Sequence, residues 1–203
     1  MGRGRRIEQW QLARSAVVRF GERNKATKGP GTVERRFQGE SRNKVDGKGR
    51  ISIPVKFRRV LQNSDSQYSP GGAPRLYIAY GDPSKNFLEC LSGDAFDEID
   101  AMIQAEGRGT ALRTLLEELY YSKCDETTVD DTGRLVLPPA AREKINLGPE
   151  ALFQGRGDKF HIVSADKAGD GTDTISRLMD QLGDGREFFD PLSLAGKSGG
   201  EGA

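Results

Sequence analysis

The sequence has no long hydrophobic run. Nothing in its 203 residues approaches the roughly 18 consecutive apolar residues that a membrane-crossing helix needs. The first residues also lack the apolar stretch and small-residue cleavage site of a secretory signal, so a soluble, cytoplasmic protein with no membrane partner is expected. Cysteine is scarce: Cys90 and Cys124 lie far apart and fit no metal-ligand spacing. Two reduced, partly buried thiols are expected, with no metal and no cofactor. Histidine is scarcer still. His161, the only one, falls in a predicted strand, where a packed side chain suits the pattern better than a general base. There is no P-loop, and Gly107-Arg108-Gly109 and Gly155-Arg156-Gly157 are too short to cradle a phosphate. Adjacent acids such as Glu117-Glu118 read as a solvated helix face. No catalytic residue emerges, and an enzyme is not expected.

What is present is charge, and it is polarised. The net charge of +1 hides 17 basic and 5 acidic residues over residues 1–61, against 14 and 25 in the remainder. Such asymmetry points the front of the chain toward a polyanion. A loose basic leader accounts for only part of it. Residues 33–61 alone hold 9 basic and 3 acidic residues.

An internal repeat organises the rest. Val45-Asp46-Gly47-Lys48-Gly49-Arg50-Ile51-Ser52-Ile53-Pro54 aligns without a gap with Val129-Asp130-Asp131-Thr132-Gly133-Arg134-Leu135-Val136-Leu137-Pro138, 84 residues on. The register continues, with Arg58 matching Arg142 and Leu61 matching Ile145. Each copy reads as strand, turn, strand, short helix and hairpin. Asp46 to Gly49 has turn composition, with Gly49 available for positive φ. Ile51 and Ile53 alternate with Ser52, the period of a half-buried strand that Pro54 stops. The following helix is expected to bury Val55, Val60 and Leu61 and to leave Lys56 and Arg59 in solvent. Residues 76–80 and 87–91 predict one hairpin, and residues 151–154 and 160–163 the other. Between the copies, Phe96, Ile99 and Ile103 form one helical stripe, with Ser92 or Asp94 as its cap. Leu112, Leu115, Leu116 and Leu119 form a second. Either could pack within the chain or between subunits.

Asp-x-x-Gly-Arg, an alternating strand, a Pro and an Arg-bearing helix together resemble the swapped-hairpin domain of the AbrB transition-state regulators. Two copies in one chain, with helices between them and Phe37-Gln38-Gly39 just upstream, resemble the MraZ family over about residues 36–165. The resemblance implies an α+β fold in which two AbrB-like β-α-β-β repeats fold together as a pseudo-symmetric, barrel-like core. The implied organisation is a basic disordered leader over 1–35, a first repeat over 36–92 and connecting helices over 93–123. A second repeat over 124–166 and a flexible acidic, Gly-rich tail over 167–203 with one weak helix complete it. Residues 1–32 are expected to be disordered or absent from the natural protein, with Val33 as a candidate start.

The resemblance further implies a nucleoid-associated repressor of its own division and cell-wall gene cluster, which binds repeated short promoter sites on double-stranded DNA as a ring-like homo-oligomer. Arg50, Arg58 and Arg59 fall where DNA-contacting arginines are expected, with Arg42, Lys44 and Lys48 nearby. Arg134 and Arg142 are the second copy's counterparts and serve either DNA or structure. There Lys48 has become Thr132, Arg59 has become Glu143, and Asp131 adds an acid, so the first copy is expected to dominate binding. Asp46, Gly49, Asp130 and Gly133 are read as turn-forming residues. The alternative is an AbrB-like antitoxin or an oligomeric scaffold, against which the tandem repeat argues.

Overall fold

The computed structural model describes residues 35–169 and 172–183, which lie within one compact unit, Glu34–Ala203. The expectations for the leader before residue 35 and for the tail after residue 183 fall outside the described residues.

The first copy contributes β1 (Glu40–Lys44), β2 (Arg50–Ser52), α1 (Val55–Asn63), β3 (Arg75–Ala79) and β4 (Leu88–Ser92). Two connecting helices follow, α2 (Gly93–Ala105) and α3 (Ala111–Glu117), the latter running into a π-helical turn over Glu118–Ser122. The second copy supplies β5 (Cys124–Thr128), β6 (Arg134–Val136), α4 (Pro139–Lys144), β7 (Glu150–Gly155) and β8 (Lys159–Ser164), and α5 (Thr172–Gly183) ends the described chain. The fold is α+β, as expected.

Strand pairing interleaves the copies. The six-stranded sheet is antiparallel throughout, in the order β1-β7-β8-β4-β3-β5. Exchanging each strand for its counterpart in the other copy reverses this order and leaves it otherwise unchanged. A pseudo-twofold axis therefore passes between β4 and β8. Each copy's first strand pairs with the other copy's hairpin, and β2 pairs with β6 in a separate two-stranded ribbon. The expected barrel-like closure is not what forms. The large sheet is open, ending at β1 and β5, because each of these strands turns through its Asp-Gly hairpin into the ribbon. Both edges are short and polar (Glu-Ser-Arg-Asn-Lys and Cys-Asp-Glu-Thr-Thr), which suits strands without an outer partner.

One core serves both copies. Ile51, Ile53, Leu135 and Leu137 point inward from the ribbon onto Leu76, Ile78, Leu88, Phe160 and Ile162 of the sheet. Phe57 of α1 inserts between Phe37, Phe153 and Phe160, with ring centroids 5.2–6.3 Å away. The expected helix face thus needs correction. Val55 is 54% exposed, and Phe57 packs inward with Val60 and Leu61. The helix starts directly after Pro54, which puts Val55 on the outer side of its first turn and Phe57, Val60 and Leu61 on the inner. Lys56 and Arg59 are exposed as anticipated.

The connecting helices are capped by Ser92, whose Oγ accepts from the Ala95 amide, and by Thr110, whose Oγ1 accepts from the Arg113 amide. Asp94 instead accepts from the amide of Ser66. Arg113 ties the pair together, bonding to the Gln104 and Glu106 carbonyls and to Glu117. Ile103 is buried, yet Met102, Leu112 and Leu115 remain more than half exposed. An apolar face this wide on a short helical hairpin is a candidate contact surface.

Candidate nucleic-acid interface

The Asp-x-x-Gly-Arg turns are built almost wholly from local bonds. Asp46 Oδ1 accepts from the amides of Lys48 and Arg50, both at 2.9 Å, while Oδ2 pairs with Arg50 Nε at 2.6 Å. The Gly49 amide donates to the Asp46 carbonyl at 2.9 Å, and Gly49 takes φ of +77°, where a Cβ would be strained. The N–H groups of Arg50, backbone first and then side chain, hold the Asp46 carboxyl down at about 2, so it stays ionised through the working pH range. In the second copy Asp130 Oδ1 accepts from the Thr132 hydroxyl and amide and from the Arg134 amide, and Gly133 has φ of +79°. Thr132 makes a side-chain bond to this turn that Lys48 does not make to its own.

Cross-strand register places the cations that follow. Arg50 lies opposite Val136, Ser52 opposite Arg134, and Ile51 opposite Leu135. Ile51 and Leu135 point into the core, so Arg50, Ser52, Arg134 and Val136 share the outer face, and all four are exposed. Arg50 and Arg134 are diagonal neighbours across the pseudo-twofold axis, about 7–8 Å apart by the geometry of such pairs. Asp46 engages the Arg50 guanidinium through Nε. Arg42 and Lys44 are exposed on β1, which leads into the first turn, and Lys48 is exposed on the turn itself.

The six cations expected in the first copy do not form one cluster. Arg42, Lys44, Lys48 and Arg50 share the first hairpin, and Arg59 stands exposed on α1. Arg58 lies instead across Gly133, the glycine of the other copy's turn, and Arg142 lies across Gly49. A cleft of about 230 Å³ flanks the second turn, lined by Arg58, Gln62, Tyr68, Pro74, Asp130 and Asp131. Its outer wall is the longer connection that only the first copy carries between helix and hairpin, held by Asp65, which accepts from the Arg75 amide at 2.8 Å and pairs with its guanidinium at 2.9 Å. The turns are therefore equivalent in backbone and unlike in surroundings.

Glu89, Cys90, Cys124 and His161 are structural in placement. Glu89, 4% exposed on β4, is paired with Lys85 at 3.0 Å and Lys159 at 3.1 Å, and accepts from the Tyr120 hydroxyl at 3.5 Å. Burial opposes its ionisation, but the two ammonium groups outweigh burial and hold its carboxyl below the usual range. The cavity beside it, about 20 Å³, has room for roughly one water. Burial pushes the Cys124 thiol up to about 12 and the Cys90 thiol well above the usual range, so neither is a thiolate at neutral pH. Among the described residues there is no group of three His, Cys, Asp or Glu side chains that could hold a metal, and no helix long and apolar enough to cross a membrane.

His161 stacks on Phe87 at 3.9 Å, the packed role expected of it. Burial, then the positive charges of Arg156 and Lys159, push its imidazole down to about 4 from an ordinary 6.5. The fold therefore favours the neutral ring. An unfolded chain takes up a proton below about pH 6.5 that the folded chain refuses until about pH 4, so stability must fall across that window as pH is lowered. Denaturant midpoints measured from pH 7 to pH 4 should show this decline, and His161→Phe should flatten it. Glu89 adds a loss at lower pH, as its carboxyl protonates below the usual range.

No family model matches the chain, but curated relatives do. A transcriptional regulator MraZ of Ruegeria sp. (strain TM1040) is 47% identical over 167 residues, which span 82% of this chain and 98% of the relative. The chain belongs to the MraZ family. A transcriptional regulator MraZ of Ruegeria pomeroyi is 44% identical over 83% of this chain and 99% of its own length. One from Cereibacter sphaeroides is 39% identical over 64% and 80%. These MraZ relatives are named as transcriptional regulators and not as enzymes, which agrees with the absence of a catalytic motif from the sequence.

Proposed function

We propose that the chain is a sequence-specific DNA-binding regulator of transcription that represses its own division and cell-wall gene cluster. The supporting observation is the outer face of the β2–β6 ribbon. It presents Arg50 and Arg134 as diagonal neighbours, with Lys48 on the adjoining turn and Arg42 and Lys44 on the strand before it. A two-stranded ribbon fits the major groove of B-DNA, where arginine reads guanine edges, while lysines and flanking arginines engage phosphate. Arg59, exposed on α1, adds a phosphate contact. The first copy leads, because its turn reads Gly47-Lys48 where the second reads Asp131-Thr132. The protein acts in the cytoplasm, on the nucleoid.

The chain works as a homo-oligomer larger than a dimer, joined through the exposed apolar residues Met102, Leu112 and Leu115 of α2 and α3. One subunit makes few contacts, so linked subunits on short sites about 10 base pairs apart supply the affinity.

A gel shift of the full chain on the DNA upstream of its own gene tests this reading, with light scattering of the same sample. Binding is expected to weaken steeply with salt, with a log-log slope of about −0.9 for each phosphate neutralised. A shallow slope, no preference over scrambled DNA, or the mass of a single chain would each count against it.

A further inference from the structure

The two helix arginines are exchanged between the copies. An ideal Cβ on Gly49 would lie 2.8 Å from Arg142 Cδ, 2.9 Å from its Nε and 3.0 Å from its Cζ. One on Gly133 would lie 2.5 Å from Arg58 Cζ and 2.7 Å from its Nε. Each arginine thus packs its guanidinium end over the bare Cα of a left-handed glycine that belongs to the opposite repeat. The cause is the ribbon. Antiparallel pairing of β2 with β6 brings the end of each strand, and the helix that follows it, beside the turn that opens the other. The Leu137 amide bonds the Gly49 carbonyl at 3.0 Å and the Ile53 amide bonds the Gly133 carbonyl at 2.8 Å, fixing both helix starts there.

Two further observations indicate what these side chains do. Arg58 Nε and Arg142 Nε are both buried and have no hydrogen-bond partner among the described residues, so neither is held by an ion pair there at that atom. Both sit on glycines whose φ no other residue adopts without strain, and both glycines are buried. Packing of Nε and Cζ against the opposite glycine is what the two positions share.

We infer that Arg142 is a positioning residue for the first turn, Asp46 to Arg50, and that Arg58 is the positioning residue for the second, Asp130 to Arg134. Each copy's helix closes the other copy's loop. Loss of the second copy's arginine therefore disorders the DNA-facing turn of the first, the opposite of what each copy's own sequence suggests. Only the consequence for DNA affinity rests on the proposed function; the consequence for turn order does not.

Amide hydrogen exchange on the full chain decides it. The Lys48, Gly49 and Arg50 amides are all bonded within the first turn, and those of Thr132, Gly133 and Arg134 within the second. Arg142→Ala should speed exchange at residues 48–50 by about tenfold or more and leave residues 132–134 within about twofold, because exchange reports local opening. Arg58→Ala should do the converse. Arg142→Met keeps a stem of similar reach and removes the unpaired buried N–H. It should exchange like the parent and bind upstream DNA within about threefold of it, whereas Arg142→Ala loses about tenfold or more. Acceleration confined to a variant's own copy, or no change at either turn, would overturn the inference. So would an Arg142→Met protein that keeps its first turn protected yet binds DNA as poorly as Arg142→Ala, since Arg142 would then touch DNA itself. If Arg142→Ala does not fold, the exchange patterns of Arg58→Ala and Arg142→Met decide the matter by the same criteria. A parent that binds no DNA would defeat the proposed function and leave the exchange result standing.

Discussion

Arg50→Ala is expected to reduce binding to the upstream DNA by about 10- to 100-fold at a single site, the effect of losing a guanidinium from a base edge. On a run of sites the loss recurs at every linked subunit, so binding there should fall below detection. The fold should scarcely notice. Arg50 is exposed, its ion pair is with exposed Asp46, and the Arg50 amide, which alanine keeps, helps close the turn. The melting temperature and oligomer mass should match the parent's, while a gel shift loses its retarded band. Unfolding of Arg50→Ala, or parental affinity, would each refute the role given to Arg50. Arg134→Ala is the companion measurement. It shares the ribbon face, but its turn carries Asp131 and no lysine, so a smaller loss is expected.

Phe57→Ala should have the largest effect on stability. Phe57 is 2% exposed and touches Phe37, Phe153 and Phe160, so truncation leaves a cavity at the centre of the shared core. Phe-to-Ala changes of this kind cost about 3–5 kcal/mol. That is a large share of the roughly 5–15 kcal/mol that holds a domain together. The counterpart position in the second copy is Ala141, so no second phenylalanine compensates across the pseudo-twofold axis. Because its partners Phe153 and Phe160 belong to the second copy, denaturant unfolding should remain a single transition with a lowered midpoint. Amides in β7 and β8 should lose protection together with those of α1. A second copy that kept full protection would show that the repeats are separately stable, against the interleaved sheet.

Much of the local structure was legible in the sequence. The Asp46 and Asp130 turns could be placed because their bonds join residues no more than four apart, and because a glycine is needed where φ is positive. The hairpins at 76–80 and 87–91 lie within a residue of β3 and β4. The 84-residue repeat pointed to the family, and 47% identity to a relative agrees with it. Less could be read of the surfaces. The helix pattern placed Val55 inside and passed over Phe57, since four or five positions over two turns do not settle which side meets the core.

What the sequence determined by itself is the pair of turns, the alternation that buries Ile51 and Leu135, and the excess of positive charge at the front of the chain. Each follows from neighbours along the chain, where backbone geometry leaves few choices. Tertiary structure alone decided how the two copies share those parts. It left the six-stranded sheet open at β1 and β5, paired β2 with β6, and laid Arg58 on Gly133 and Arg142 on Gly49. Two like repeats could pack each arginine over its own turn or over the other's, and both arrangements satisfy the same local pattern. The choice between them is made by strand pairing between residues 82 to 86 positions apart, whose free energy comes from one hydrophobic core that neither copy can bury alone.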